Sequence, residues 1–324
     1  MRAIEYSQYG PPGVLHVTEV PKPVPGANEI LIKIQATTVT AADCRLRALK
    51  VPFGFSTISR LFLGFSRPRR QILGMELAGD IESVGKAVSK FKPGDSVFAY
   101  VGISMGCYAE YKCMSEDGAV VLKPPNLSYQ VAAALSYGGT TALNFLNRAK
   151  IKSGEKVLIN GASGAVGSAA VEIAKHFGAE VTGVCSTVNL DWVQSLGADH
   201  VIDYTQEDFT ENGENYDIIF DAVGTAPYSH SKTSLEVNGR FLMVIGGFLD
   251  MLLIPWLALT SYRKIIGGAA ANKVSDLRYL AKLAEAGEFK PAIDRCYPLE
   301  KIADAHAYVD TGRKKGNIVV SLDT

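Results

Sequence analysis

The residues of this chain with the clearest chemical capacity form a glycine turn, Gly161-Ala162-Ser163-Gly164-Ala165-Val166-Gly167. It follows the apolar run VLIN and opens the segment SAAVEIAKHF. With Ala162 where a first glycine would stand, it is an A-x-G-x-x-G version of a dinucleotide fingerprint. Gly164 lets the backbone approach a pyrophosphate, and Gly167 lets the helix pack close to its strand. Ser163, Ala165 and Val166 complete the turn, where free N–H groups and the positive end of the helix dipole meet the anion. The bland alternative is a glycine-rich turn with no ligand.

The cofactor is read from the next strand. An NAD site places Asp or Glu there, about 20 residues on, to hold the ribose hydroxyls. Here the strand ends Gly183-Val184-Cys185-Ser186-Thr187, without a carboxylate. The hydroxyls of Ser186 and Thr187 can donate to a 2′-phosphate, which a carboxylate would repel. NADPH is therefore expected over NADH, although Val188 stands where a cation would help, and the two hydroxyls also suit a plain turn cap.

On the substrate side, Asp43 with Thr40 could order a proton-donating water or orient a hydroxyl. The competing account is a helix N-terminal carboxylate stabilised by the dipole. Two segments are expected to shape specificity for a flat, hydrophobic acceptor. One runs from Val51 to Gln71, with Phe53, Phe55, Phe62, Phe65 and Arg60, Arg67, Arg69, Arg70; the other runs from Phe248 to Leu259 and carries Trp256. Packing between domains, with a solvated basic edge, would explain the same residues.

These groups need elements to hold them. From Ala27 to Ala36 the run ANEILIKIQA alternates apolar and polar residues, the period of half-buried strands. Further strand runs follow at Met75–Gly85, Asp95–Gly102 and Tyr108–Met114. Beyond Pro125 the pattern becomes strand, glycine turn, helix and strand over Lys156–Ser186, the size of a βαβ unit. Strand runs recur at His200–Tyr204, Tyr216–Gly224 and Gly239–Gly247, which predicts a doubly wound parallel sheet. DLRYLAKLAEAGEF reads as an amphipathic helix, and GNIVVSL as a last strand that could return to the N-terminal β domain.

With 324 residues, the length suits about two domains. Lys+Arg and Asp+Glu both total 33, so net charge steers the chain toward neither nucleic acid nor an anionic membrane. Five scattered cysteines and a start without an apolar signal core suggest a reducing cytoplasm. The most apolar window is broken by Asp250 and Pro255, too short to span a bilayer, so no membrane insertion is expected.

Taken in order, YGPPGVL, GMELAGDIESVG, FKPGDSVFA, YGGTTAL, INGASGAVG, SLGADHVIDY, DAVG and KKGNIVV resemble the medium-chain dehydrogenase/reductase superfamily along the whole chain, in particular its zinc-free quinone oxidoreductase-like branch. The resemblance implies an α/β protein. A GroES-like β domain, 1–124 completed by 270–324, would surround a Rossmann domain with a doubly wound parallel sheet, 125–269, with the active site in the cleft between them.

By resemblance, Thr141 lies against the nicotinamide and Tyr137 opens the same stretch on the catalytic side. Tyr204 meets the adenosine, and Val223 with Gly246, Gly247 and Phe248 flanks the nicotinamide ribose and ring. Lys315 and Asn317 reach back from the tail, and a homodimer is implied. Where zinc relatives read GHE, this chain reads Gly74-Met75-Glu76, and their catalytic cysteine falls on Thr40. Cys107 and Cys113 cannot supply a four-cysteine lobe, and no histidine clusters with a cysteine in the sequence, so no zinc is expected. The leading reading is a zinc-independent, NADPH-dependent reductase of a small hydrophobic quinone or α,β-unsaturated carbonyl. The alternatives are a secondary-alcohol or aldehyde oxidoreductase, and a cofactor-binding scaffold or redox sensor with little turnover.

Overall fold

The structure is a computed structural model, and it describes residues 1–50, 56–246 and 262–322. Two compact units are present. One runs from the N-terminus to Tyr137 and resumes at Asn272, and the other is the middle of the chain, Gly138–Ala271.

The first unit opens with an antiparallel pair, β1 (Arg2–Glu5) and β2 (His16–Glu19). It continues through β3 (Glu29–Val39), α1 (Ala41–Ala48), α2 (Ser56–Leu63), β4 (Glu76–Val84), β5 (Ser96–Tyr100), β6 (Tyr111–Ser115), β7 (Val120–Leu122) and α3 (Tyr129–Ala134). The alternation at 27–36 predicts a half-buried strand, but Ile30, Ile32 and Ile34 are buried and so is Leu31 between them. The reason is position: β3 lies inside its sheet, paired with β4, β6 and the last strand of the chain, and Leu31 is buried on the face opposite the three isoleucines although Lys33 on that face is exposed.

The second unit takes in most of α4 (Ser136–Ala149), then β8 (Lys156–Asn160), α5 (Ala165–His176), β9 (Glu180–Cys185), α6 (Leu190–Ser195), β10 (His200–Asp203), β11 (Tyr216–Asp221), α7 (Tyr228–Ser231), β12 (Leu235–Met243) and β13 (Lys264–Ile266). All pairings in its sheet are parallel, in the order β10-β9-β8-β11-β12-β13. The order in which strands are added reverses between β8 and β11, so the crevice where such sheets bind ligands opens at the C-terminal ends of those strands. Phe220 and Phe241, both nearly fully buried, lie in the core beneath it.

The chain then returns to the first unit through a helix at Val274–Glu285, β14 (Ile293–Pro298), a helix at Ile302–Asp310 and β15 (Asn317–Ser321). β15 pairs antiparallel with β3, Ile318 opposite Val39 and Val320 opposite Thr37. The first unit is thus GroES-like and built from both chain ends. Its boundary differs from the expected 124/125. Tyr129 donates to Asp80 Oδ1 at 2.6 Å and Gln130 to Ser321 Oγ at 3.0 Å. These bonds hold α3 on the first unit, and the division falls after Tyr137.

Arg47 fastens one chain end to the other. Its side chain is 1% exposed; Nε donates to Gly10 O at 3.0 Å, and a terminal nitrogen donates to Asp310 Oδ2 at 2.6 Å. The other terminal nitrogen lies 3.0 Å from His306 Nδ1. Burial beside this guanidinium pushes His306 down to about 3, so the ring is neutral and accepts. Arg47→Ala should remove the guanidinium from all three acceptors and lower the free energy of unfolding by about 3 kcal/mol or more, measured by urea titration. An unchanged midpoint would show that the tie contributes nothing.

Candidate active site

The nucleotide half begins at the turn after β8. Gly164 is the N-cap of α5, in extended geometry with no side chain bonded over the helix end. No side chain of the cap therefore occupies the first N–H groups of this helix, which leaves them available to an anion. A Cβ placed on Gly164 would meet Gly161 O at 3.6 Å and nothing nearer, so the space above it is open. Gly167 differs: a Cβ there would lie 2.0 Å from Gly161 O, so its role is the close seating of α5 on the turn. Gly138 makes a similar approach that sequence reading missed. Its Cβ would lie 2.5 Å from Ala165 O, so the start of α4 sits against the first turn of α5. Thr141, three residues further on, is 6% exposed. The signal available was the paired glycine in YGGTTAL.

At the switch point Asp221, ending β11, accepts from Asn160 Nδ2 at 3.0 Å, binding the ends of β8 and β11 together. Its carboxylate also accepts the N–H groups of Val223, Gly224 and Ala226. Burial raises its pKa and these hydrogen bonds oppose the rise. The loop they fold carries Val223, which is 40% exposed and lies over Gly161. Gly246 is half-buried. Phe248 and Gly247, with Phe53, Phe55 and Trp256, lie outside the described residues.

The adenosine side departs from expectation in one respect. The end of β9 has no carboxylate, but the neighbouring strand brings one: Asp203 stands opposite Cys185 and accepts the Thr187 hydroxyl. The hydrogen bonds of Thr187 and Thr205 hold Asp203 below the usual carboxylate range. Thr187 is thus committed to a protein carboxylate and is not a spare donor for a 2′-phosphate. Ser186 is the N-cap of the 3₁₀ turn that follows β9, Val188 is 78% exposed, and Tyr204 is 63% exposed.

In the first unit the structure decides the role of Asp43. It is the third residue of α1 and forms a reciprocal capping box with Thr40. Oδ2 accepts from Thr40 N at 3.0 Å and Thr40 Oγ1 at 2.6 Å, while Asp43 N donates to Thr40 Oγ1 at 3.1 Å. Oδ1 takes Gly74 N at 3.1 Å, and the residue is fully buried. The expectation of a proton-ordering pair is therefore corrected. Both residues cap a helix and lash it to the strand entry at Gly74, and neither presents a free group for proton transfer.

The acid that sequence reading passed over is Glu76. Fully buried at the start of β4, it accepts the Thr38 hydroxyl on one oxygen and the Tyr137 N–H, in the first turn of α4, on the other. Burial, reinforced by Asp43, pushes its carboxyl up to about 8 against those hydrogen bonds. Tyr137 has its ring centroid 6.3 Å from that of Tyr100, and burial holds its phenol up at about 12. It stays protonated at neutral pH and can donate a hydrogen bond. In the tail, Lys315 N donates to Asp294 Oδ2 at 2.9 Å. Asn317 is 4% exposed, with Nδ2 donating to Ala292 O at 3.0 Å, so its amide ties β15 to the residue before β14.

Comparison with known proteins fits this arrangement. Residues 26–125 match the alcohol dehydrogenase GroES-like domain and residues 196–320 a family described as zinc-binding dehydrogenase. The chain is 34% identical to the chloroplastic quinone-oxidoreductase QR1 of Triphysaria versicolor, over 99% of this chain and 98% of that protein. It is 30% identical to the chloroplastic NADPH-dependent alkenal/one oxidoreductase of Arabidopsis thaliana, over 99% of this chain and 79% of that one. The solved quinone oxidoreductase from Coxiella burnetii superposes with a TM-score of 0.89 at 30% identity, covering 100% of this chain and 99% of that one. The chain belongs to the medium-chain dehydrogenase/reductase superfamily, in its quinone oxidoreductase-like branch.

Many members of this superfamily hold zinc, and the donor set can be tested for it. Met75 and Thr40, both buried, replace the histidine and cysteine that zinc relatives use. Tertiary packing does create a thiol–imidazole contact that the sequence reading did not foresee: Cys44 Sγ lies 3.2 Å from His306 Nδ1. The same nitrogen faces the Arg47 guanidinium at 3.0 Å, and burial raises the thiol well above its ordinary range. A site already facing a fixed cation, with a protonated thiol, does not suit Zn²⁺. Among the described residues no other group of His, Cys, Asp and Glu converges on a metal position.

Two outcomes follow. Gly164→Val should weaken NADPH and NADH alike by roughly two orders of magnitude, the loss of one or two charge-assisted hydrogen bonds, with stability within about 1 kcal/mol of the parent. Gly167→Val should instead fail to fold. Equal nucleotide affinity in the parent and Gly164→Val would move the site elsewhere.

Glu76 binds a proton in the folded state up to about pH 8 but only up to about 4.5 when unfolded, so it subtracts stability as pH rises through that interval. Glu76→Gln should make the melting temperature fall less than the parent's between about pH 6 and pH 9. Parallel curves would show that Glu76 is ionised throughout.

Proposed function

We propose that this chain is a zinc-independent, NADPH-dependent reductase that delivers hydride to a quinone or an α,β-unsaturated carbonyl. The observation that carries the reading is the donor chemistry just described, Met75 and Thr40 buried where zinc relatives keep their ligands. Without a Lewis acid an alcohol's hydroxyl pKa is not lowered, so alcohol oxidation lacks its driving element. An already activated acceptor needs less. It takes hydride with its charge delocalised onto oxygen, and requires mainly alignment and a hydrogen bond to that oxygen.

When bound, the reduced nicotinamide supplies the hydride. The first N–H groups of α5 would hold the pyrophosphate, Val223 and Gly246 the nicotinamide ribose, and Thr141 the ring. Tyr137, with its phenol kept protonated, is the hydroxyl assigned to the acceptor oxygen. Asp43 and Asp221 accept hydrogen bonds from backbone N–H groups, and the Glu76 carboxyl is held between the Thr38 hydroxyl and the Tyr137 N–H, so the proton that completes reduction is assigned to solvent.

NADPH is supported by the β9 end without a carboxylate, and by the NADPH-dependent relative. Tyr204 is assigned to the adenosine. Asp203 beside Thr187 works against NADPH, which leaves Ser186 as the hydroxyl for the 2′-phosphate. A cytoplasmic homodimer completes the proposal. No helix among the described residues is long and apolar enough to cross a membrane, and the five cysteines are free thiols.

The test is a panel of quinones, enones and secondary alcohols followed by NADPH absorbance, before and after dialysis against a strong chelator. Quinones or enones should turn over at the same rate in both. Activity restored only by Zn²⁺, turnover confined to alcohols, or no turnover at all would each overturn the reading. NADPH should bind more tightly than NADH, and Val188→Arg should widen the gap about fivefold or more, one added cation beside the 2′-phosphate. NADH binding as well as NADPH in the parent would refute the cofactor assignment.

A further inference from the structure

The chain has no net charge, but the charge is not evenly spread. From Lys50 to Gly74 there are five cations (Lys50, Arg60, Arg67, Arg69 and Arg70) and no Asp or Glu. Four of those cations, the arginines, are exposed on α2 and the loop after it. The same short stretch presents Leu61 at 59%, Phe62 at 72% and Phe65 at 65% exposure.

Isolated exposed apolar residues are ordinary, but three within five positions, ringed by arginines, form a patch of mixed chemistry. The patch is held in shape. Leu63 turns inward against the core of the first unit, Tyr9 donates to Gly64 O at 3.0 Å, and Arg60 donates to Phe65 O at 2.6 Å. Arg70 donates to Ser104 O, which draws in the neighbouring turn and with it Ile103, 80% exposed.

We propose that this face binds the surface of an anionic lipid bilayer peripherally, with Leu61, Phe62, Phe65 and Ile103 entering the headgroup region and the arginines lying among the lipid phosphates. Aromatic and aliphatic side chains beside arginines are the composition that partitions to this interface, and the attraction rises with the negative charge of the leaflet. A second copy of the chain is the weaker occupant. A two-fold contact through this patch would set the same arginines against each other with no acidic group in the segment to offset them. Adsorption of this kind needs no spanning helix, and it would place the protein where hydrophobic acceptors concentrate.

The experiment is flotation of the full chain with vesicles of phosphatidylcholine alone, or with about 30% phosphatidylglycerol, at low and at high salt. Binding should appear only with phosphatidylglycerol and fall steeply with salt. Each cation contributes about fivefold at such a surface, so Arg67→Glu with Arg69→Glu should weaken binding about 25-fold or more. Phe62→Ser with Phe65→Ser should also weaken it, about tenfold or more, and at both salt concentrations.

Equal binding to neutral vesicles, no binding at low salt, or concentration-dependent dimerisation abolished by the arginine pair would overturn the proposal. A phenylalanine variant that loses turnover of a water-soluble quinone yet keeps vesicle binding would assign the patch to the acceptor instead. None of the vesicle measurements depends on the activity proposed above, so the two readings fail separately.

Discussion

The first turn of an α-helix carries N–H groups that its own backbone cannot satisfy, and much of the middle unit is arranged to leave those of α5 accessible. Two glycines divide the task. Gly167 removes the side chain that would collide with Gly161 O and lets the helix end sit at the mouth of β8. Gly164 caps the helix without covering it. The parallel sheet supplies the rest, because winding outward in both directions from β8 and β11 puts that helix end at the crevice. Asn160 and Asp221 then pin the two strand ends at one height. The resulting site is made of backbone and dipole, so the side chains around it are free to vary in what they recognise.

The first unit is governed by the cost of buried charge. Asp43, Glu76 and Arg47 are all essentially without exposure, which is tolerable only if each is hydrogen-bonded. Asp43 takes the open N–H groups around α1 and Gly74, and Glu76 accepts from the first turn of α4. Arg47 answers a carbonyl, an imidazole and a carboxylate drawn from both chain ends. In each case an ionisable side chain closes a gap in backbone or inter-segment bonding. Asp43, the carboxylate that the sequence nominated for proton transfer, is therefore structural.

Much of this was legible in the amino-acid sequence. The period-two run at β3, the glycine turn between VLIN and SAAVEIAKHF, and the recurring strand runs are local patterns, set by residues that interact within a few positions of one another. They determined the β character of the N-terminal part, the doubly wound parallel sheet and the position of the glycine turn between its strand and helix. The last strand, GNIVVSL, was recognisable as a strand by composition, and its return to the N-terminal domain was open as a possibility.

Tertiary structure alone decided what depends on residues far apart in the chain. That β15 pairs with β3 is a matter of register between positions nearly 280 residues apart. Whether Asp43 orders water or caps a helix depended on Gly74, whose N–H completes the shell of its carboxylate. Asp203 reaches Thr187 because parallel pairing brings the ends of β9 and β10 level, which weakens an argument from the β9 end alone. Cys44 meets His306 across 262 positions, a contact no spacing rule could reveal. Sequence fixes propensity and periodicity because those are short-range; partners, burial and protonation follow from which distant groups the fold brings within a few ångströms.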